Sequence, residues 1–444
     1  MSQRIGRRDF IRNGAVASTL ISSVRSPRAG SAKAKSVAPS DQVVIGVVGI
    51  GRQGLYNMRK FLEHPECRVG AVCDVYEPHL LRAHEESGAD KFEDFRHVLD
   101  RDDLDAIVIS TPDHWHPLNT IMACQAGKDV YVEKPVSVTV QEGQMMVEAA
   151  RKYRRVVQVG TQQRSGIHFQ KAVKLIGEGA LGQVTAVRSW NFGNSTPNGI
   201  GSPPDSKPPQ GLNWDLWLGP APAVPFNANR FGVHPDRWST FRMFWDYAGG
   251  MMTDWGVHLL DIVQWAQQVE APTKISTSGG KFALKDNSET PDTLTTTLEY
   301  PGFISTYENR SCNSHRINEH GYGSEFYGTE ATLFIDRSGF EIIPQQDREN
   351  DRLVPRTYSM QMKDTNDGNY DHVGNFLSCI KSRQRPISDI EIGHHSTATC
   401  LMANISYRLG RNLEWDAAAK QFKGDAEASK HLARPCRAPW KLEI

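Results

Sequence analysis

Beyond its N-terminal region the chain has no run of about 18 apolar residues, so nothing in it reads as a membrane span. It also lacks a charge excess. Its 51 Lys and Arg balance 51 Asp and Glu, which removes the overall field by which nucleic-acid and membrane-surface binders attract their partners. Cysteine is scarce, seven in 444 residues, with no C-x-x-C pair and no metal-ligand spacing. That argues against a disulfide framework and against a zinc module. No segment repeats at a fixed period, so solenoids and propellers are excluded. What remains is a two-domain globular chain with a leader, carrying its chemistry in local motifs.

The most informative stretch is 43–54. Residues 43–48 form a nearly continuous β-branched run, the pattern of a parallel strand buried on both faces. It leads directly into Gly49-Ile50-Gly51-Arg52-Gln53-Gly54 and then a helix over 55–62. In a G-x-G-x-x-G turn one glycine makes the bend, one lets a pyrophosphate approach the backbone, and one lets helix and strand pack closely. The amides at the helix N-terminus then face the phosphate charge. Glycine clusters are common in loops, but here a second strand, 69–73, ends at Asp74, 20 residues past Gly54. A carboxylate at that place accepts from a ribose diol and repels a 2′-phosphate, which favours NAD; His79 and Arg82 nearby keep NADP as the alternative.

Residues 1–40 read as a leader. Gly6-Arg7-Arg8-Asp9-Phe10-Ile11-Arg12 resembles the twin-arginine export signal, and Ala32-Lys33-Ala34 offers a small-x-small cleavage site. The expected location is the periplasm or another compartment reached by that route, and an exported nucleotide enzyme is expected to hold its cofactor tightly. A basic leader without address is the other reading.

From 41 to 163 the pattern alternates. Strands read at 43–48, 68–73, 105–110, 129–132 and 156–159, and helices at 54–63, 78–88, 116–126 and 139–152. This predicts an α/β fold with a doubly wound parallel sheet, whose strand carboxyl ends carry function. Residues 164–411 read as a second α/β domain with an open mixed sheet, mostly antiparallel, and 412–444 as a tail on the surface. Strands are expected near 184–191, 273–278, 293–300, 303–309, 325–327 and 332–335, with helices at 168–177, 251–269, 369–382 and 392–409. The Pro- and Gly-rich stretch 194–226 reads as a lid, an oligomer arm or simple disorder, its second half ordered and docked by Trp214 and Trp217; these aromatics serve either as sugar platforms or as packing. A broad sheet face needs cover, so a homodimer or homotetramer is expected.

Three further places carry chemistry. Lys134 ends the strand at 129–132 next to Pro135, and reads either as a salt-bridge partner or as a catalytic cation. Gln162 and Arg164 leave the last strand of the first domain, within reach of cofactor or substrate. Asp254, His258 and Asp261 fall at i, i+4 and i+7 of one helix, so two acids are expected to flank the histidine, fix its tautomer and raise its basicity. No motif supplies a third metal ligand, and no metal is expected.

With these motifs in order, the chain resembles the oxidoreductase family of glucose–fructose oxidoreductase and inositol 2-dehydrogenase (Gfo/Idh/MocA). The resemblance rests on the glycine turn, Thr111-Pro112 with His116, Glu133-Lys134-Pro135, and Gly249 through Asp261, and it covers about 42–411. It implies an active site in the cleft between the two domains. The cofactor would be held by Gly49, Gly51, Arg52, Gln53 and Gly54, by Asp74, by Thr111, Pro112 and His116, and by Glu133, Lys134 and Gln162. Catalysis would fall to Lys134, His258 and Asp254, and the substrate to Arg164, Asp254 and His258. His258 is the favoured base, with Lys134 the alternative.

The function expected is oxidation of a CH–OH group in a sugar, polyol or glycoside with a tightly bound, recycled NAD. One alternative is NAD-dependent glycoside cleavage through transient oxidation of the sugar. The family's exported α-N-acetylgalactosaminidases resemble this chain in leader and first domain, yet carry a different dipeptide where Glu133-Lys134-Pro135 stands. A second alternative is a non-enzymatic sugar or redox sensor, against which Lys134, Asp254 and His258 together argue.

Overall fold

The computed structural model describes residues 42–233 and 239–444, so the twin-arginine motif lies outside the described residues. Six parallel strands build the first sheet: β1 (Val43–Val48), β2 (Cys67–Cys73), β3 (Asp90–Phe92), β4 (Ala106–Ile109), β5 (Asp129–Val132) and β6 (Val157–Val159). Their order is β3-β2-β1-β4-β5-β6. Helices α1 (Arg52–Leu62), α2 (Glu77–Ser87), α3 (Phe95–Leu99), α4 (His116–Gln125) and α5 (Val140–Lys152) flank it, and β1 is buried at all six positions. The order reverses between β1 and β4, and a crevice opens there at the carboxyl ends of the strands. Strand β3 and helix α3 were not expected. The strand is three residues long with mostly exposed side chains, too short for a readable apolar run.

The second half begins with α6 (Ile167–Gly177) and β7 (Val184–Phe192). An excursion through α7 (Trp214–Leu218) and α8 (Ala228–Phe231) then reaches α9 (Gly250–Asp254) and α10 (Gly256–Gln267). Strands β8 (Lys274–Gly280), β9 (Thr293–Tyr300), β10 (Phe303–Arg310), β11 (Tyr322–Gly328), β12 (Ala331–Asp336) and β13 (Gly339–Pro344) follow. A separate hairpin of β14 (Gln346–Glu349) and β15 (Arg352–Pro355) precedes β16 (Met360–Lys363). The chain closes through α11 (Gly368–Ser382), α12 (Ile390–Leu409), β17 (Leu413–Asp416), β18 (Gln421–Phe422) and α13 (Ala426–Lys430). Ten strands form one sheet, β16-β13-β12-β11-β7-β10-β9-β8-β17-β18, in which β7 and β10 pair in parallel and the other pairs are antiparallel. Strand β10 alternates buried and exposed residues. Its inner Tyr307 packs with Leu298 and Phe326 against Val263 of α10 and Met402 of α12.

Two expectations change in detail. The helix foreseen over 251–269 is interrupted at Trp255, which separates α9 from α10. Residues past 411 also do more than cover the surface. Strands β17 and β18 extend the second sheet, and Trp440 packs on Trp115 and Phe95 of the first.

Candidate active site

A cleft of about 520 Å³ opens at the ends of β1, β4 and β5 and is closed from the other side by α9, α10 and the excursion 193–249. Its floor is the glycine turn. Gly49 sits at φ +82°, and a Cβ there would lie 2.6 Å from the Thr111 amide nitrogen. A Cβ on Gly54 would lie 1.8 Å from the Gly49 carbonyl oxygen, so the third glycine does permit close strand–helix packing. At Gly51, which lines the cleft, a Cβ would meet nothing within 4 Å. That open space over exposed backbone fits a pyrophosphate, with Arg52 and Gln53 beside it at the start of α1.

Asp74 does part of its work inside the protein. One carboxylate oxygen accepts from the Ile50 amide (2.6 Å) and stands 3.5 Å from His79 Nδ1; the other accepts from the Tyr76 amide (2.9 Å). It therefore fastens the glycine turn to β2 while lining the cleft where a ribose would lie. Glu133 also lines the cleft, but its carboxylate accepts from Asn57 (2.8 Å) and Gln53 (3.2 Å) and ties β5 to α1. Burial pushes its pKa up, against the pull of Asn57.

Thr111, Pro112 and His116 line the cleft on the loop after β4. Both ring nitrogens of His116 face carbonyl oxygens, Pro135 at 2.7 Å and Thr111 at 2.9 Å. Two acceptors favour a doubly protonated ring and burial a neutral one. Burial is the larger effect and pushes the pKa down to about 4. His116 thus positions the loop against Pro135, with no nitrogen left to point at a cofactor. Its neighbour His114 is buried, and its Nε2 lies 3.1 Å from the Trp217 carbonyl. Trp217 stacks on Trp214 at 4.7 Å and packs on Tyr247, and it also lines the cleft.

The opposite wall brings Lys134, Asp254 and His258 together. The Lys134 ammonium donates to the Asp254 carboxylate (2.8 Å) and carbonyl (2.9 Å), and Arg242 donates to the same carboxylate oxygen (3.0 Å). Burial alone would raise the Asp254 carboxyl, but Lys134 and Arg242 outweigh it and hold the pKa far below the usual range. His258 is buried, with no hydrogen-bond partner on Nδ1. Burial, reinforced by Lys134 and Arg337, pushes its pKa well below 6.5, so the ring is neutral.

Here the structure corrects two expectations. The acids do not clasp His258: Asp254 turns to Lys134 and Arg242, and Asp261 turns to Arg164, so the basicity of the ring is lowered by burial and not raised. Arg164 is not a cleft residue. Its guanidinium is buried in a two-pronged pair with Asp261 (2.8 and 2.9 Å) and lies 4.8 Å from the Trp265 ring centre, because a charge leaving β6 at this depth must be matched. Gln162, by contrast, lines the cleft.

Three charged cleft residues carry no motif in the sequence. Arg242 comes from a single 3-10 turn, Thr240–Met243, Arg337 from the turn between β12 and β13, and Asp113 sits inside the loop after β4, where burial pushes its carboxyl up to about 7.

Comparison with known proteins agrees with this architecture. The group described as "Oxidoreductase family, NAD-binding Rossmann fold" matches residues 43–161, and "Oxidoreductase family, C-terminal alpha/beta domain" matches 165–289 and 355–442. Glycosyl hydrolase family 109 protein 1 of Shewanella sp. (strain ANA-3) is 27% identical over 171 residues, 36% of this chain and 37% of that protein. An uncharacterized oxidoreductase of Bacillus subtilis (strain 168), YrbE, is 30% identical over 147 residues, 32% of this chain and 42% of its own length. The match thus spans well under half the length of these curated relatives. Among solved structures, the WlbA dehydrogenase of Bordetella pertussis, in complex with NADH and UDP-GlcNAcA, superposes with a TM-score of 0.62 at 20% identity, covering 84% of this chain and 99% of that one. The aldose-aldose oxidoreductase of Caulobacter crescentus gives 0.63 at 19%, covering 84% and 100%. At these identities they share the fold.

Proposed function

Because the chain belongs to the Gfo/Idh/MocA oxidoreductase family, we propose that it oxidises a CH–OH group of a sugar, polyol or glycoside with NAD. The observation that carries this reading is one wall of the cleft. A neutral His258 lines it beside a Lys134–Asp254 pair, across from an open glycine turn. Bound NAD supplies the acceptor for the hydride that leaves the carbinol carbon. The hydroxyl proton goes to His258, whose ring is neutral and so starts without a proton to lose, and the product is a carbonyl. Lys134 holds the reacting oxygen and steadies its charge, while Asp254 stays ionised and fixes the ammonium. The carboxylate of Asp74 supports NAD over NADP.

Tight retention of the cofactor is part of the proposal, supported by the excursion 193–249 that folds over the cleft. Its segment 211–213 bonds to residues 75–77 just beyond β2, through Glu77 N to Gly211 O (2.8 Å) and Asn213 N to Val75 O (2.9 Å). Export by the twin-arginine route and association through the open sheet, whose outer face exposes Ile304 and Ile343, complete it.

Single-turnover reduction of bound NAD across pH is the test. His258→Ala and Lys134→Ala should each slow the chemical step by about 10²-fold or more. In the unchanged protein the rate should stay level as pH falls through 6.5, since His258 becomes protonated only well below that. Lys134→Ala removes a charge that depresses His258, so its acidic limb should move up toward neutral pH. A variant lacking His258 that keeps the limb makes Lys134 the base, and near-normal rates in both variants would remove the site altogether. Redox-neutral glycoside cleavage is a second reading, favoured by the relatives of 27% identity. Release of aglycone without net reduction of NAD would select it.

A further inference from the structure

On the reading just proposed, the substrate lies beside Lys134 and His258, and a further cation in the cleft has no part in proton or hydride transfer. Arg337 stands in the two-residue turn between β12 and β13 and lines the cleft. The turn is rigidly held. The Asp336 carboxylate accepts from the Ser338 amide (2.7 Å) and hydroxyl (2.5 Å), and its other oxygen is 3.0 Å from His320 Nδ1. Gly339, at φ +148°, has no room for a side chain, since a Cβ would lie 2.2 Å from the Met362 carbonyl. The acid next to Arg337 in sequence is thus committed to other partners.

The guanidinium is fixed in its own right. It lies over the Trp255 indole at 4.9 Å, and its Nε donates to Gln163 Oε1 at 3.3 Å. Gln163 in turn donates to the His258 carbonyl at 3.4 Å, which couples the arginine to the helix that carries the base. Among the described residues no carboxylate pairs with Arg337. Asp254 is taken by Lys134 and Arg242, Asp364 by His168 and Asp367 by Lys60. A half-buried, planar, pre-oriented fork of N–H donors therefore faces the substrate space without an anion.

We propose that Arg337 binds a carboxylate on the substrate, so that the preferred substrate is a sugar acid or a uronate-bearing glycoside. One guanidinium fork matches a planar carboxylate through two parallel hydrogen bonds. A phosphate or sulfate ester would call for a second cation, and Lys134 and Arg242, which line the same cleft, already share Asp254.

The holoenzyme is tested with matched pairs, glucuronate against glucose and galacturonate against galactose, plus glucose 6-phosphate. Reduction of bound NAD is followed in parallel with thermal stabilisation by each ligand. The acids should be favoured in kcat/KM, and Arg337→Gln should collapse the acid-to-neutral ratio by about 10- to 100-fold, the worth of a charge-assisted hydrogen bond. Arg337→Lys should restore part of it, keeping the charge without the fork. The inference is overturned if neutral sugars or the phosphate match the acids, if Arg337→Gln lowers both members of a pair equally, or if no acid either reacts or stabilises the protein. Turnover of neutral sugars that still depends on His258 would leave the oxidoreductase reading standing while this one fails. Absence of NAD reduction by any sugar, with acids still stabilising the protein through Arg337, would do the reverse.

Discussion

Gly51 and Gly54 stand three residues apart and should answer substitution in opposite ways. Gly51 has φ −65°, which alanine adopts freely, and a Cβ there enters open space in the cleft. Gly51→Ala should therefore fold with stability within about 0.5 kcal/mol of the unchanged chain, yet release NAD on gel filtration. In Gly54→Ala the new carbon would press on the Gly49 carbonyl at 1.8 Å, and a loss of about 1–3 kcal/mol is expected. Thermal denaturation beside cofactor content separates the two, and equal loss of stability in both would contradict the turn's assigned geometry. Residues of this kind are legible in sequence because their constraint is local: a bend, a strand end, a fixed spacing. Lys134, His258 and Asp254 were readable for the same reason. Arg242 and Arg337 were not, since neither stands in a motif and each becomes a cleft residue only through tertiary packing.

At the scale of elements, α10 shows how a correct helix can carry a wrong neighbourhood. Helical spacing put Asp254, His258 and Asp261 on one face, but the break at Trp255 and the pull of outside cations decide what each touches. Asp261 reaches the turn after β6, where Arg164 locks the two halves of the chain together. Arg164→Ala should leave Asp261 buried and unpaired, at a cost of about 3–5 kcal/mol. Were Arg164 a substrate ligand, KM would rise with little change in melting temperature. Periodicity gives the element; the partner comes from tertiary contacts that no window of sequence contains. The excursion 193–249 makes the same point, for its prolines announce a loop while its docking rests on Trp217 and on Arg437 far downstream. Arg437 donates to the Gly219 carbonyl at 2.8 Å and to Asp215 at 2.5 Å.

Across the whole molecule, the joint between the two halves rests on histidines kept neutral by burial. His114 meets Trp217 of the excursion, His372 of α11 meets the Val159 carbonyl (2.9 Å) and Ser165 (2.8 Å), and His394 of α12 packs against Gly143 of α5. Burial pushes their pKa values from 6.5 down to about 3, about 4 and about 3. His116 and His258 are depressed in the same way. In each case the unfolded chain binds the proton first. The stabilisation is therefore complete above pH 6.5 and is lost as pH falls toward the folded values, at about 1.4 kcal/mol per histidine for each pH unit. Asp113, Glu133 and Asp261 act in the opposite sense, because burial raises their pKa and the folded chain takes their protons first. Six histidines, His395 included, against three carboxyls leave a net loss on acidification. The melting temperature should fall steadily from pH 6.5 to about 4, well before the ion pairs lose their carboxylate charges. Acid should part the two sheets along this joint, releasing NAD as the cleft opens. A melting temperature that is flat or rising over that interval would show that these rings are protonated in the folded protein. The neutral His258 on which the proposed proton transfer depends would then lose its physical basis.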